Sequence, residues 1–363
     1  MAAGRQTRND IVKKSRKILI RNIAVLTLSI VMLVVGAGCI YVDRVLSKIN
    51  YADPENTNSS TETGPLFTGG TESGSTAENA EAGILGGLLH DDAVTNILLL
   101  GVDDYQKNDI GRSDSMLLVS VDTRHQKLKL TSFMRDLYVA IPGYKSNKLT
   151  VAYADGGGGA DGAKLAVTTI EANFGVDIDR YVLISNSAFN QIIDRLGGVE
   201  ITLTDETDRS GRTEADLINL YSGDKNKVHT GKNLLSGAQA HYYSRIRDIG
   251  DDFERTERQR KVFESVAQSL KSANITTIYG ILTDILPLVT TNMTKNEVIS
   301  MASNSLTYLK YPISQDRIPA DGEYTPDDIP GVGNSLVPDL DACRENVAEF
   351  IYEDDIPEGS YGE

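Results

Sequence analysis

NILLLGV (96–102), SMLLVSV (115–121) and KLKLTSFM (127–134) stand close together in a chain of 363 residues. The first two are nearly continuous apolar runs of strand length, the pattern of a sheet covered on both faces. Residues 162–174 then predict a helix that stops at Gly175, a residue suited to a left-handed cap. Strands follow at 181–184 and 199–203 around a short helix, 188–196, closed by Gly197-Gly198. Three further helical stretches are expected at 252–272, 275–288 and 294–309. Alternating strands and helices predict an α/β domain with helices on both faces of the sheet. Beyond Tyr311 the chain turns rich in Pro, Gly and Asp and is expected to wrap the surface as loop. No internal repeat is visible.

Charge is unevenly spread. Residues 1–21 hold seven Lys or Arg against the single acid Asp10, while the whole chain carries −15, so the rest carries about −21. An acidic body of that kind lacks the basic face that phosphate neutralisation requires, which excludes nucleic acid as a partner. Residues 22–42, NIAVLTLSIVMLVVGAGCIYV, are uncharged and long enough to cross a bilayer. The basic cluster in front places the N-terminus in the cytoplasm and the bulk outside. A cleaved signal peptide and a lipoprotein signal at Ala37-Gly38-Cys39 are the alternatives. Residues 43–92, dominated by Ser, Thr, Gly, Asn and Glu, predict a disordered extracytoplasmic stalk. Cys39 and Cys343 lie too far apart in the layout to be bridged, so the exported domain must rest on its core.

Chemistry gathers at the predicted strand ends, where open α/β sheets form their crevices. Asp103 and Asp104 end the first strand, Asp114 opens the second after Arg112, and Arg135-Asp136 end the third. Asp103 and Asp114 offer hard oxygen ligands suited to Mg²⁺ shared with a substrate's phosphates, with Mn²⁺ as the alternative ion. Lys148 adds a possible phosphate contact or a solvated charge. YSRIRDIGDDFERTERQR (243–260) holds five arginines. Arg245 and Arg247 share a face if their segment is extended. On a helix from 253 to 270, Arg255 and Gln259 fall on the apolar stripe of Val262, Phe263, Val266, Ala267 and Leu270. Charges at core positions call for an anion or for pairing. The competing structural account is an ion-pair network with Asp248, Asp251, Asp252, Glu254 and Glu257. Arg258 and Arg260 project nearer the helix flanks, where neighbouring acids can pair with them.

Several chemistries find no support. The four histidines, His90, His125, His229 and His241, lack zinc-pair spacing. No G-x-S-x-G elbow precedes a helix. Gly156–Gly159 lacks the Lys of a phosphate-binding loop and reads as a turn, and Asp177-Ile178-Asp179 as a chance D-x-D. An arginine-rich, acid-bearing site without a nucleophile suits phosphoryl transfer, which is mostly positioning and charge stabilisation. Outside the membrane the energy must arrive with an activated donor.

The ordered series NILLLGVDD, GRSDSMLLVSVD, LTSFMRDLYVAIPG, NKLTVAYADGG, LGGVEITL, LSGAQAHYYSRIRD and DDFERTERQR, over about residues 95–270, resembles the LytR-CpsA-Psr family of cell-wall glycopolymer ligases. The resemblance implies an α-β-α sandwich behind a single N-terminal transmembrane helix, with an apolar pocket for a polyprenyl chain. It implies transfer of teichoic acid or capsular polysaccharide from a polyprenyl pyrophosphate carrier to peptidoglycan on the outside of a Gram-positive cell membrane. By motif, Asp103 and Asp114 correspond to Mg²⁺-binding and catalytic acids, with their individual roles open, and Arg135 to a catalytic, pyrophosphate-binding arginine. Arg245, Arg247 and Arg255 correspond to further pyrophosphate ligands, and Lys148, Gln239 and Gln259 to positions near the head group. Asp104 and Glu254 depart from the commonest pattern. The expected layout is a basic tail (1–21), anchor (22–42), stalk (43–92), catalytic domain (93–350) and flexible tail (351–363). A non-catalytic carrier-binding protein, a transcriptional attenuator and a hydrolase using water as acceptor are the rival functions.

Overall fold

The computed structural model describes residues 46–52, 87–103, 110–250, 252–273, 277, 280–281, 284 and 286–357. The chain divides into two compact units, Met1–Lys48 and Ile49–Glu363. The expected tail and anchor, 1–42, lie outside the described residues, as do most of the 43–92 stretch and Asp104. Among the described residues no helix is long and apolar enough to cross a membrane.

The second unit is built on a mixed seven-stranded sheet. Its strands in chain order are β1 (Asn50–Tyr51), β2 (Val94–Val102), β3 (Ser113–Asp122), β4 (Lys127–Phe133), β5 (Arg180–Ser185), β6 (Val289–Thr291) and β7 (Ile313–Ile318). In space they run β1-β6-β5-β2-β3-β4-β7. β2, β3 and β4 form an antiparallel meander, while β5 joins β2 and β7 joins β4 in parallel. Among the described residues the helices longer than one turn are α1 (Gly159–Phe174), α2 (Asn186–Leu196), α3 (Glu214–Tyr221), α4 (Gly237–Tyr243), α5 (Asp252–Ser272), α6 (Lys295–Tyr308) and α7 (Leu340–Tyr352). The expected helix stop at Gly175 is present, with φ 71° in the left-handed region.

The two sheet faces are filled differently, because side chains alternate along a strand. Leu98 and Leu100 of β2 and Met116 and Leu118 of β3 join Ile170 and Phe174 of α1 and Val347 and Ile351 of α7 in one dense core. Leu99, Gly101, Ser115 and Leu117 serve the opposite face, toward Val262, Phe263 and Val266 of α5 and Phe189 and Ile192 of α2. Small residues pave that side: a Cβ on Gly101 would stand 3.1 Å from the Cβ of Ser115. A pocket remains between sheet and helices. A second core lies beyond it, joining α2 to α5 and the hairpin Val199–Leu203 with Gly231–Leu235. Gly237 permits the close crossing of α4 on α2, since any Cβ there would lie 2.2 Å from the Asn190 carbonyl oxygen.

Four sequence expectations are corrected. The segment beyond Tyr311 is not surface loop: it supplies edge strand β7 and helix α7, whose Cys343, Val347, Ala348, Ile351 and Tyr352 are buried. Ile351 and Tyr352, expected to open the flexible tail 351–363, therefore belong to the core. Asn50–Tyr51, expected within the stalk, pair in parallel with Thr290 and Thr291 of β6. The segment carrying Arg245 and Arg247 is a turn after α4 rather than an extended strand, although buried Ile246 still separates two exposed arginines.

Candidate active site

The meander register places the strand-end charges together. Val102 pairs with Ser113 and Met116 with Phe133, so Asp103, Asp114 and Arg135 meet at one end of the sheet. Arg245 reaches in from the turn after α4. Its Nη1 lies 2.9 Å from Asp103 Oδ1 and its Nη2 3.6 Å from Asp114 Oδ2. Asn186, at the start of α2, donates to the same Asp103 oxygen at 2.7 Å. Arg135 donates from Nη1 to Asp114 Oδ1 at 2.8 Å. Burial pushes Asp114 up, but the Arg135 hydrogen bond and the charges of Arg135, Arg255 and Arg245 outweigh it and hold the carboxyl below its ordinary range.

Asp252, the first residue of α5, links this group to the buried arginine foreseen on the apolar stripe. Arg135 Nε lies 3.6 Å from Asp252 Oδ1. Arg255, only 2% exposed, donates from Nη2 to Asp252 Oδ2 at 3.0 Å. Burial lifts Asp252 above the ordinary carboxylate range against the pull of Arg255 and Arg135. Burial also brings Arg255 down to about 10, with Asp252 opposing and the like charges of Arg135 and Arg247 assisting. The Nε–H groups of both Arg135 and Arg255 are buried without a hydrogen-bond acceptor, although Arg255 Nε is 3.0 Å from Asp252 Oδ1 at an unfavourable angle. Both nonetheless face carboxylates, since Arg135 Nε also lies 3.4 Å from Asp136 Oδ2, so each guanidinium is held by charge more than by hydrogen-bond geometry.

Lys148 sits on the far side of Arg135, where its Nζ donates to Asp136 Oδ1 at 2.9 Å beside a polar cavity that includes Arg112. Gln259 lines the pocket between sheet and α5. Arg247 lines a neighbouring open pocket with Arg245. Gln239 is not part of this group. Its Oε1 accepts from the Ser236 backbone in a capping box and its Nε2 donates to the Asn226 carbonyl, so its amide holds the start of α4.

Arg258 and Arg260 also differ from expectation. Arg258 is 3% exposed and pairs with Glu214 of α3 at 2.8 Å, not with an acid near in sequence. Arg260 donates to Gln315 and faces the pocket, with its Nη1 buried and unpartnered. Of the five acids considered, Asp252 pairs with Arg255 and Arg135, Glu257 pairs with Lys261, and Asp251 lies outside the described residues. Sequence inspection passed over Asn186 and treated Asp252 only as a rival for the arginines. Nothing local marks Asn186, whereas Asp252 stands three residues before Arg255, one helical turn away.

The pocket has a volume of about 200 Å³ and grades from apolar to charged. Leu99, Leu117, Ile184, Phe189, Ile192, Phe263 and Val266 line its interior, and Asp103, Asp114, Gln259 and Arg245 its polar side. Such a lining suits an amphiphile with an apolar part and a polar, charged head.

Comparison with known proteins agrees with this architecture. The LytR_cpsA_psr family matches residues 56–335. The chain is 34% identical over 239 residues to a polyisoprenyl-teichoic acid–peptidoglycan teichoic acid transferase, TagU, of Bacillus cereus, covering 64% of this chain and 71% of that protein. TagU of Bacillus mycoides is 33% identical over 260 residues, covering 70% and 77%. In fold it is similar to TagT of B. subtilis, with a TM-score of 0.55 at 24% identity over 73% of this chain and 91% of the other. TagV of B. subtilis gives 0.55 at 23% identity over 74% and 100%. The mixed sheet with its flanking helices, the strand-end acids and the arginine turn thus belong to a member of the LytR-CpsA-Psr family.

Proposed function

We propose that this chain transfers a glycopolymer from a polyprenyl pyrophosphate carrier to peptidoglycan at the outer face of the membrane. The observation that carries this reading is the single pocket whose apolar interior ends at Asp103, Asp114 and Arg245. A prenyl tail fits the interior and a pyrophosphate fits the arginines. Support comes from the relatives' name, polyisoprenyl-teichoic acid–peptidoglycan teichoic acid transferase, and from a TagT structure described with bound octaprenyl pyrophosphate lipid. Teichoic acid is the favoured cargo and capsular polysaccharide the alternative.

In the reaction, a sugar hydroxyl of the wall attacks the phosphorus that bears the glycan. A new phosphodiester bond forms, the bridging P–O bond breaks, and polyprenyl phosphate leaves. The hydroxyl proton passes to Asp103 or Asp114. Arg135, Arg245, Arg247 and Arg255 neutralise the phosphates as charge moves onto the leaving group. Lys148 supplies a further cation, and Gln259 an amide toward the head group.

Charge balance also supports a divalent cation. Asp103, Asp114, Asp136 and Asp252 already offset Arg245, Arg135, Lys148 and Arg255 in the ion pairs of the site. Arg247 is left to offset part of a pyrophosphate's charge, and a divalent cation would offset more of it. Asp103 and Asp114 would hold Mg²⁺, or Mn²⁺, as hard oxygen donors, and the ion would supply Lewis-acid stabilisation of the phosphates. Both carboxylates also contact the Arg245 guanidinium, at 2.9 and 3.6 Å, so the ion would share them with that arginine.

The uncharged run 22–42 would anchor the protein, with 1–21 in the cytoplasm, a stalk within 43–92 and the catalytic domain outside. The test is to give the purified chain labelled carrier-linked glycan with and without peptidoglycan. Transfer of label to peptidoglycan and release of polyprenyl phosphate are expected. Release without transfer would identify a hydrolase, and binding without release a carrier protein.

A further inference from the structure

Arg245 borders two cavities. One is the apolar pocket already described. The other, open and with a volume of about 620 Å³, is lined by Arg245 together with Arg247, Asn190, Ser222 and Asp248. Its wall is aromatic. The rings of Tyr221 and Tyr242 stack with centroids 5.7 Å apart and planes 29° apart. Tyr221 is 52% exposed, an unusual position for a tyrosine so firmly held. Arg212 donates from Nη1 to its hydroxyl at 3.0 Å, and Arg212 itself is fixed by Asp208 through Nε at 2.7 Å.

Nothing in the core requires this arrangement. Tyr221 ends α3 and its ring contributes to neither hydrophobic core, while Tyr242 only packs at the margin of the second. A rigid, half-exposed aromatic surface with amide, hydroxyl and carboxylate groups around it matches a saccharide, whose ring has an apolar C–H face and a polar rim. Aromatic rings take the first and the hydrogen-bonding groups the second. A tyrosine already fixed by its neighbours loses little conformational freedom on binding.

The geometry points to a saccharide subsite on Tyr221 and Tyr242, sharing Arg245 with the phosphate site, that seats a sugar ring beside the reacting phosphorus. The subsite rests on the assignment of the apolar pocket to a polyprenyl pyrophosphate. The sugar can come from either substrate: the first residue of the carrier-linked glycan or a residue of the wall acceptor. The chemistry is the same for both.

The test uses the full chain in detergent micelles and three probes: polyprenyl pyrophosphate without sugar, carrier-linked glycan, and soluble peptidoglycan fragments as acceptor. Tyr221→Ala should leave affinity for the bare carrier unchanged. It should weaken one sugar-bearing substrate about tenfold in Kd or KM, the scale of one aromatic contact, with kcat nearly constant. Tyr221→Phe, which keeps the ring and its stack on Tyr242 but loses the Arg212 bond, should retain most of the affinity and fall well short of the loss in Tyr221→Ala. A weakened carrier-linked glycan assigns the subsite to the donor, and weakened fragments assign it to the acceptor. If Tyr221→Ala also loses the bare carrier, Tyr221→Leu decides, since it keeps an apolar contact with Tyr242 but offers no flat face. Equal affinity of wild type and ring-less variants for both sugar-bearing probes would overturn the subsite. Failure of the wild type to bind the bare carrier would instead overturn the assignment of the pocket.

Discussion

Arg258 donates from Nε to Glu214 Oε1 at 2.8 Å, with both side chains almost wholly buried. The remaining donors of the same guanidinium reach the carbonyls of Ile246 and Ile249 at 3.1 and 2.8 Å. One buried pair therefore fixes the turn that carries Arg245 and Arg247. A buried ion pair need not stabilise more than an apolar replacement, but removing one partner leaves the other charge stranded. Glu214→Gln should lower unfolding free energy by about 3–5 kcal/mol, read from urea denaturation. A loss under about 1 kcal/mol would mean that water already screens the pair. Transfer activity should fall as well, through displacement of the turn.

Arg135 pairs with Asp114, and Arg245 pairs with both Asp103 and Asp114. Arg135→Ala and Arg245→Ala should each reduce transfer by about 10²–10³, the range for removal of one preorganised donor to developing charge. Single-turnover rates with carrier-linked glycan measure this directly. Gln239→Ala should act differently, by weakening the cap of α4 by about 1 kcal/mol with a far smaller effect on the chemical step. If both arginine variants transfer normally, the site lies elsewhere.

The meander and α5 were legible because their signals are local. β2 and β3 are apolar runs of strand length, and Arg255 interrupts a helical stripe at a fixed angle. β7 was not legible, since ISQDRI carries little hydrophobic pattern and becomes a strand by pairing along the edge of β4. α7 had a readable pattern, with Asp339 as its cap and Cys343, Val347 and Ile351 spaced four apart, but Pro and Gly before it drew attention to loop. Arg258 was misplaced for another reason. Angular projection gives the face of a helix, whereas the partner there, Glu214, and the carbonyls of Ile246 and Ile249 arrive from distant chain.

Glu171 on α1 is a partly buried carboxyl near Asp177 and Asp179, and desolvation raises it to about 7 from 4.5, although the Ile178 amide opposes the shift. A carboxyl whose folded value is raised keeps its proton in the native state after the unfolded chain has lost it. Stability should therefore fall as pH rises from about 4.5 to about 7 and level off above, by on the order of 3 kcal/mol. Glu171→Gln keeps an acceptor for Ile178 and removes the charge. Its unfolding free energy should match wild type near pH 4 and exceed it at pH 8. Parallel pH profiles for the two proteins would show that water reaches the carboxylate.

Chelation tests the charge argument at the acid pair. EDTA should abolish transfer, and Mg²⁺ or Mn²⁺ should restore it. Asp103→Asn and Asp114→Asn should each raise the Mg²⁺ concentration needed for half-maximal transfer, because one hard ligand is lost. If one variant instead loses rate at saturating Mg²⁺ with an unchanged metal requirement, that acid accepts the proton and the other holds the ion. Full activity in EDTA would remove the metal from the mechanism.

The pocket itself is tested by filling it. Val266 lines it from α5 and is only partly buried. A larger side chain at a tight core position costs about 1–3 kcal/mol through strain, but an existing cavity can take the added atoms without it. Val266→Trp should therefore keep Tm within a few degrees of wild type while removing polyprenyl pyrophosphate binding. Short water-soluble pyrophosphate analogues should still bind, since Arg135, Arg245 and Arg255 are untouched. Loss of prenyl affinity with retention of the head-group analogue separates the two halves of the site. Undiminished prenyl binding by Val266→Trp would mean that the lipid runs along some other surface of the domain.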